Sequence, residues 1–173
     1  GGTPYKMVAN LPYYITTPIL FHFLESPLKF ERLVVMVQEE VGLRMVAPVN
    51  SHDYGVLALV CGYWADVDVV HRVPRTCFVP QPKVDSCIVR LRCRQTLPYP
   101  DLEPKFLISL IRAAFSQRRK TLRNSLTKSG AFGVPQEIVS ASFEAADIDP
   151  GRRPQTMNLD EFARLAREVR ARM

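Results

Sequence analysis

The sequence lacks any apolar run approaching the roughly 18 residues that a membrane-spanning helix requires, so no membrane-embedded class is expected. Its first residues, GGTPYKMVANLPYY, carry no charged start leading into a long apolar block, so they are not read as a secretory leader. The four cysteines (Cys61, Cys77, Cys87 and Cys93) form no CxxC pair, and no histidine stands at ligand spacing from them. His22, His52 and His71 are scattered. That pattern argues against a metal site or a disulfide scaffold, and for reduced cysteines mostly in the core of a cytoplasmic protein. No GxGxxG, GxGxG or Walker pattern occurs, and no internal repeat is visible. Acidic residues are missing from one long stretch: positions 104–128 hold seven Lys or Arg and no Asp or Glu.

What is present is ordinary globular material. The 173 residues are 47% hydrophobic, with 23 Lys+Arg against 17 Asp+Glu. That bounds the chain to one good-sized domain, or one with a small appendage. The net charge of +6 points to an anionic partner without naming it.

Two kinds of periodicity divide the chain. Up to about residue 95, strand and helix signals alternate. Tyr5 to Ala9 reads as a buried strand. Thr17-Pro18 reads as a helix start, with Thr17 as cap and Pro18 in the first helical position, and that helix stops at Ser26-Pro27. Leu33 to Val37 is a continuous apolar run, as in a parallel strand covered on both faces. Glu39 and Glu40 suit the positive end of a helix running to about Ala47. Tyr54 to Trp64 is ambiguous by period, and its length and Leu/Ala content favour helix. Ala65 to Arg72 and Lys83 to Cys93 read as two late strands; in the second, Val89 and Leu91 alternate with Arg90 and Arg92, which predicts one face toward solvent or RNA. Gln95 to Pro100 reads as a linker. Beyond it the period is helical only: Phe106, Leu107, Leu110, Ile111, Ala114 and Phe115 form one apolar stripe. Asn158 with Glu161 predicts a capped final helix with Phe162, Leu165, Ala166 and Val169 inward. The chain is therefore an α/β part, resembling the second half of a doubly wound sheet, followed by a small helical part.

Three segments carry candidate chemistry. Asn10-Leu11-Pro12-Tyr13 follows the first strand, and open α/β sheets bind ligands beyond the carboxyl ends of their strands. An Asn amide oxygen, carbonyls aimed by a rigid Pro and a flat Tyr ring together suit an exocyclic amine on an aromatic ring. A strand-ending turn is the plainer alternative. Phe78-Val79-Pro80-Gln81-Pro82-Lys83-Val84-Asp85-Ser86 places two prolines in a stiff loop, with Phe78 either held against a base or tucked into the core. The run from Phe115 to Leu126 contains Arg118, Arg119, Lys120 and Arg123, with Arg119 and Arg123 one helical turn apart. It reads as a phosphate-binding surface or a solvated helix face.

Taken together these segments resemble the ribosomal RNA adenine N6,N6-dimethyltransferases of the KsgA type. The NLPY signature with its continuation spans Asn10 to Leu20, and the FxPxPxVxS loop matches Phe78 to Ser86. Gln38 to Leu57, the FSQRRKTLRNSL run, and Arg153-Pro154 with Leu159, Glu161 and Phe162 match as well. The resemblance covers essentially the whole chain and implies the second half of a Rossmann-like S-adenosylmethionine-dependent methyltransferase sheet, residues 1–97, followed by a helical RNA-binding domain, residues 98–173. It implies dimethylation at N6 of two adjacent adenines in a small-subunit (16S) ribosomal RNA hairpin. Asn10, Leu11, Pro12 and Tyr13 would be catalytic, and Asn10 and Pro12 would also touch the cofactor. Tyr13, Phe78, Arg118, Arg119, Lys120 and Arg123 would bind substrate. Within the class, the alternative is the large-subunit enzyme of macrolide resistance; outside it, a non-catalytic module that binds ribosomal RNA or the ribosome. The family's Gly-rich loop and acidic ribose-binding residue precede the NLPY segment and are not in this sequence, which matches the C-terminal three-fifths of such an enzyme. Methyl transfer by this chain alone is therefore not expected, and an uncovered sheet edge would favour self-association.

Overall fold

The computed structural model describes residues 4–117, 119–128 and 132–173. The chain divides into two compact units, one formed by residues up to 47 together with 60–97, the other by 48–59 together with 98 onward.

The first unit is built on four strands: β1 (Tyr5–Asn10), β2 (Phe30–Gln38), β3 (Ala65–Val73) and β4 (Ser86–Cys93). Their order is β1-β2-β4-β3. β1 and β2 are parallel, whereas β4 runs antiparallel to both β2 and β3, so one reversed strand is inserted among three that share a direction. The connections carry α1 (Thr16–Leu24) and α2 (Glu39–Met45), and the latter part of α3 (Val56–Trp64) leads into β3. Side chains alternate across a strand, and here the alternation sorts them cleanly. Leu33, Val35 and Val37 of β2 and Cys87, Val89 and Leu91 of β4 are completely buried.

Two expectations change on this unit. β2 is fully covered on one face only, since Val34 and Met36, between its buried residues, are half-exposed. β1 is not a buried strand: among the described residues it pairs with β2 only, and Val8 is 83% exposed. On β4 the expected alternation holds, with Val89 and Leu91 buried and Arg90 and Arg92 toward solvent, and both arginines also reach Asp68 of β3, at 2.6 and 3.2 Å. Their charges are met on that face by a cross-strand carboxylate.

The second unit packs α4 (Pro104–Ala114), α5 (Gln136–Ala145) and α6 (Leu159–Arg170) around Leu107, Leu110, Ile111, Val139, Phe143, Met157, Phe162, Leu165 and Val169. Residues 48–59 join it through specific bonds: the Tyr54 hydroxyl donates to the Met157 carbonyl at 2.9 Å and the Asn50 N–H to the Gln155 carbonyl at 2.9 Å. The end of the expected linker is fixed rather than loose. Tyr99 is 9% exposed, its hydroxyl bonds Asp160 at 2.6 Å, and neighbouring Asp101 takes a two-pronged Arg167. The last helix starts as its sequence predicts, with Asn158 and Glu161 forming a reciprocal capping box.

Candidate functional site

β1 ends at Asn10, and the Leu11 N–H makes one further bond to Met36 on β2 at 3.1 Å. That bond holds the end of the strand while the chain turns away. Pro12 sits at φ −59°, ψ 128°, and a 3-10 turn over Tyr13–Ile15 leads directly into α1. The helix therefore begins at Thr16 rather than after a Thr17 cap. The Thr16 hydroxyl donates back to the Pro12 carbonyl at 3.0 Å, and Pro18 falls within the first turn, where its missing N–H costs nothing.

This local geometry decides which polar atoms remain available. The Pro12 carbonyl accepts both the Ile15 N–H, at 3.2 Å, and the Thr16 hydroxyl. Both its lone pairs are taken. Among the described residues no hydrogen bond reaches the Leu11 carbonyl or the Asn10 carboxamide, and the Asn10 side chain is exposed.

The proline loop closes over the same place. Arg75–Cys77 forms a 3-10 turn, the Arg75 N–H donates to the Asp85 carboxylate at 2.9 Å, and the Arg75 guanidinium donates to the Lys83 carbonyl at 3.2 Å. The loop is thus tied across its base by its own residues, and the Val79–Pro80 peptide is cis. Phe78 is half-buried. With Asn10, Leu11, Pro12, Tyr13, Pro80 and Pro82 it lines one concavity of about 310 Å³. Such a volume is at the small end of ligand sites. Two segments about 68 positions apart in sequence are therefore brought to one site. The sequence did not flag Ser86 beyond its place in the loop motif, yet its completely buried hydroxyl lies 2.5 Å from that of Tyr13.

The basic segment differs from its expected form. α4 stops at Ala114, and helical backbone resumes only at 122–128, where Asn124–Lys128 is π-helical. Arg119 and Lys120 lie in the intervening turn, so Arg119 and Arg123 do not share a helix; Arg118 lies outside the described residues. The cause is visible in the backbone. The Leu122 and Arg123 N–H groups, free at a helix start, donate to the carbonyls of Arg152 at 2.9 Å and Pro150 at 3.1 Å. That tie joins the segment carrying exposed Arg153 to the one carrying exposed Arg119, Lys120 and Arg123, and no carboxylate pairs with any of the four among the described residues. The position of Arg153 depends on this loop-to-turn contact, which no local pattern announces.

Glu39 at the start of α2 pairs with Arg72 of β3 at 2.8 Å. The four cysteines are free; burial pushes the Cys61 thiol up to about 12 and raises those of Cys87 and Cys93, while Cys77 is exposed. Among the described residues no three His, Cys, Asp or Glu side chains gather as a metal-binding group, and no helix is long and apolar enough to cross a membrane.

Residues 1–168 match the family model described as ribosomal RNA adenine dimethylase. The chain is 47% identical over 166 residues to ribosomal RNA small subunit methyltransferase A of Moorella thermoacetica, covering 95% of this chain and 56% of that protein. It is 42% identical over 174 residues to the protein of the same name from Alkaliphilus metalliredigens, covering 99% of this chain and 59% of the relative. The chain thus spans little more than half the length of these curated relatives. Among solved structures, a dimethyladenosine transferase from Plasmodium falciparum superposes with a TM-score of 0.84 at 25% identity, over 99% of this chain and 69% of that one. The 23S rRNA methyltransferase ErmE superposes with a TM-score of 0.63 at 26% identity, over 96% and 66%. The four-stranded mixed sheet with its helices is the Rossmann-like methyltransferase fold of these neighbours.

Proposed function

The chain belongs to the ribosomal RNA adenine dimethylase family, and from that premise we propose that the protein carrying it dimethylates N6 of two adjacent adenines in a hairpin of small-subunit (16S) ribosomal RNA. The observation that carries this reading is the concavity at the end of β1, where two open acceptors, the Asn10 carboxamide oxygen and the Leu11 carbonyl, lie beside two aromatic rings, Tyr13 and Phe78.

The adenine amine is a weak nucleophile because its lone pair is delocalised into the ring. Asn10 and Leu11 each accept one of its N–H bonds, which draws the lone pair out of the ring and orients it. The Pro12 carbonyl, already holding two donors, keeps the turn rigid rather than binding the amine. Tyr13 and Phe78 stack on the two faces of a base taken out of its helix, and stacking worth about 1–3 kcal/mol per base offsets much of the cost of extruding it. Catalysis is then mainly positioning and electrostatics. S-adenosylmethionine, when bound, supplies the electrophilic methyl group. The residues at hand fit its reactive end, since Asn10 and Pro12 are exposed at the carboxyl end of a parallel strand, where such folds place ligands. Methyl transfer rests on the whole protein rather than on this chain alone.

Arg119, Lys120 and Arg123, with Arg118 beside them in sequence and Arg153 joined by the loop contact, form the phosphate-binding face of the second unit. The small-subunit substrate is favoured over the large-subunit one by the 42–47% identity to proteins named small subunit methyltransferase A, against 26% to ErmE.

The test is Asn10→Ala in the full-length protein, assayed on small-subunit particles lacking the modification. Turnover should fall roughly 100-fold or more, as for loss of a preorganised polar group at a reacting atom, while RNA affinity stays within about threefold. Equal loss of turnover and affinity would remove Asn10 from the chemistry and with it this reading of the site.

A further inference from the structure

We infer that Ser86 is a positioning residue for base stacking: its buried hydroxyl fixes the tilt of the Tyr13 ring and so sets the slot that faces Phe78. The inference rests on the reading of that slot as the adenine site and adds to it a residue that touches no substrate.

Ser86 opens β4, directly after the proline loop, in register with Gln38 of β2 and Val73 of β3. It is completely buried, and the Tyr13 hydroxyl at 2.5 Å is the partner its side chain has among the described residues. A buried serine holds a polar atom that gains nothing from its surroundings unless it is paired. Here the pairing leads away from the ladder to a side chain 73 positions earlier. At the other end of the ring, the Tyr13 backbone is fixed by the 3-10 turn over Tyr13–Ile15, which the Ile15 N–H closes onto the Pro12 carbonyl at 3.2 Å. A ring held at its root and at its tip cannot swing about its first torsion. Its exposed face is therefore presented before a base arrives.

The same residue ties Tyr13 to the opposite wall. Asp85, next in the chain, accepts the Arg75 N–H on its carboxylate and the Glu39 N–H on its carbonyl, at 2.9 and 3.0 Å. The first bond closes the base of the loop that carries Phe78, and the second ties that base to the start of α2. Ser86 thus belongs to the segment that anchors one ring and bonds directly to the other. Both rings take their positions from one point in the fold, and this is the arrangement a stacking slot of fixed width needs.

The test uses the full-length protein with Ser86→Ala, Tyr13→Phe, the double variant and Tyr13→Ala. Ser86→Ala and Tyr13→Phe remove the same bond from its two ends and keep both rings. Each is expected to lower kcat about five- to tenfold, the scale of one lost hydrogen bond. KM for RNA and for the methyl donor should move by less than about twofold, and the double variant should be no slower than either single one. Multiplying losses in the double variant, an unchanged kcat in Ser86→Ala, or a loss confined to KM would each overturn the inference. Should Ser86→Ala fail to fold, Tyr13→Phe decides alone, because it breaks the bond from the half-exposed side. Tyr13→Ala separates the two levels. If it retains full turnover, the adenine reading of the slot fails. If it is inactive while Tyr13→Phe and Ser86→Ala behave as wild type, only the role of Ser86 fails.

Discussion

Gly42 lies in the middle of α2, where alanine would by intrinsic preference strengthen the helix by about 1 kcal/mol. The packing reverses that sign. A Cβ at this position would collide with the Cys87 sulfur and stand 3.1 Å from a methyl of Val89, both fully buried on β4. Overpacking of this kind costs about 1–3 kcal/mol, so Gly42→Ala should lower the denaturation midpoint despite its better helix propensity. Adding Cys87→Ala should recover part of the loss, because it removes the atom in the way; no recovery would show that the strain lies elsewhere. Nothing in the sequence marks this glycine, since the collision depends on how α2 lies across β4. The same holds for Ser86, whose partner is set by the meeting of two distant segments, and for the choice between the Leu11 and Pro12 carbonyls. Residue types at the site were legible from the motif; which atoms stay free was not, because that depends on a 3-10 turn preceding α1.

Element boundaries were legible where a local signal was complete. The capping box of Asn158 and Glu161 is such a case, with donor and acceptor both within four residues. It also has an electrostatic side that the sequence does not show. Arg152 bonds Glu161 through two nitrogens, and this, with the Asn158 N–H and the charge of Arg164, holds the Glu161 carboxyl below its ordinary value of 4.5 against the opposing effect of burial. A carboxyl with a lowered folded-state pKa stabilises fully above its unfolded value and loses that stabilisation as pH falls through the folded one. Helical circular dichroism should therefore show a denaturation midpoint that is level near neutrality and declines below about pH 4.5. Glu161→Gln should flatten that acid limb and cost about 1–2 kcal/mol at pH 7, the scale of a cap plus a charge-assisted bond. An acid limb of unchanged slope would assign it to other carboxylates. The basic run was misjudged at this scale for the converse reason. Its apolar period lapses between Phe115 and Leu122, and the backbone bonds that organise it come from residues 150–152.

For the molecule as a whole, alternation of strand and helix followed by helix alone gave the correct class, since each pattern reports which face of an element is covered. Which faces are covered by what was less accessible. Leu33 to Val37 looks the same in sequence whether one or both faces are packed, and Tyr5 to Ala9 carries no mark of having one neighbour rather than two. The charge pattern was more direct. Arg119, Lys120 and Arg123, which have no carboxylate partner among the described residues, are exposed as a basic, acid-free stretch predicts. If they neutralise RNA phosphates, Arg119→Ala with Arg123→Ala should weaken binding across sequences. The slope of log affinity against log salt should become shallower by about 1.4–1.8, counted at roughly 0.7–0.9 per phosphate for the two cations removed. An unchanged slope would leave these side chains as solvated surface.

The saturated Pro12 carbonyl has a consequence of a different kind. With it occupied, the slot offers two seats for hydrogen, at Asn10 and at Leu11. An unmodified adenine amine fills both, a singly methylated one fills one, and a doubly methylated one fills neither. Each vacant seat, once the base shuts out water, leaves an acceptor unsatisfied at about 1–3 kcal/mol. On the proposed reading the slot therefore keeps a tally. Its hold on the base weakens by one step with each methyl added, and the finished nucleotide is the form it is least able to retain.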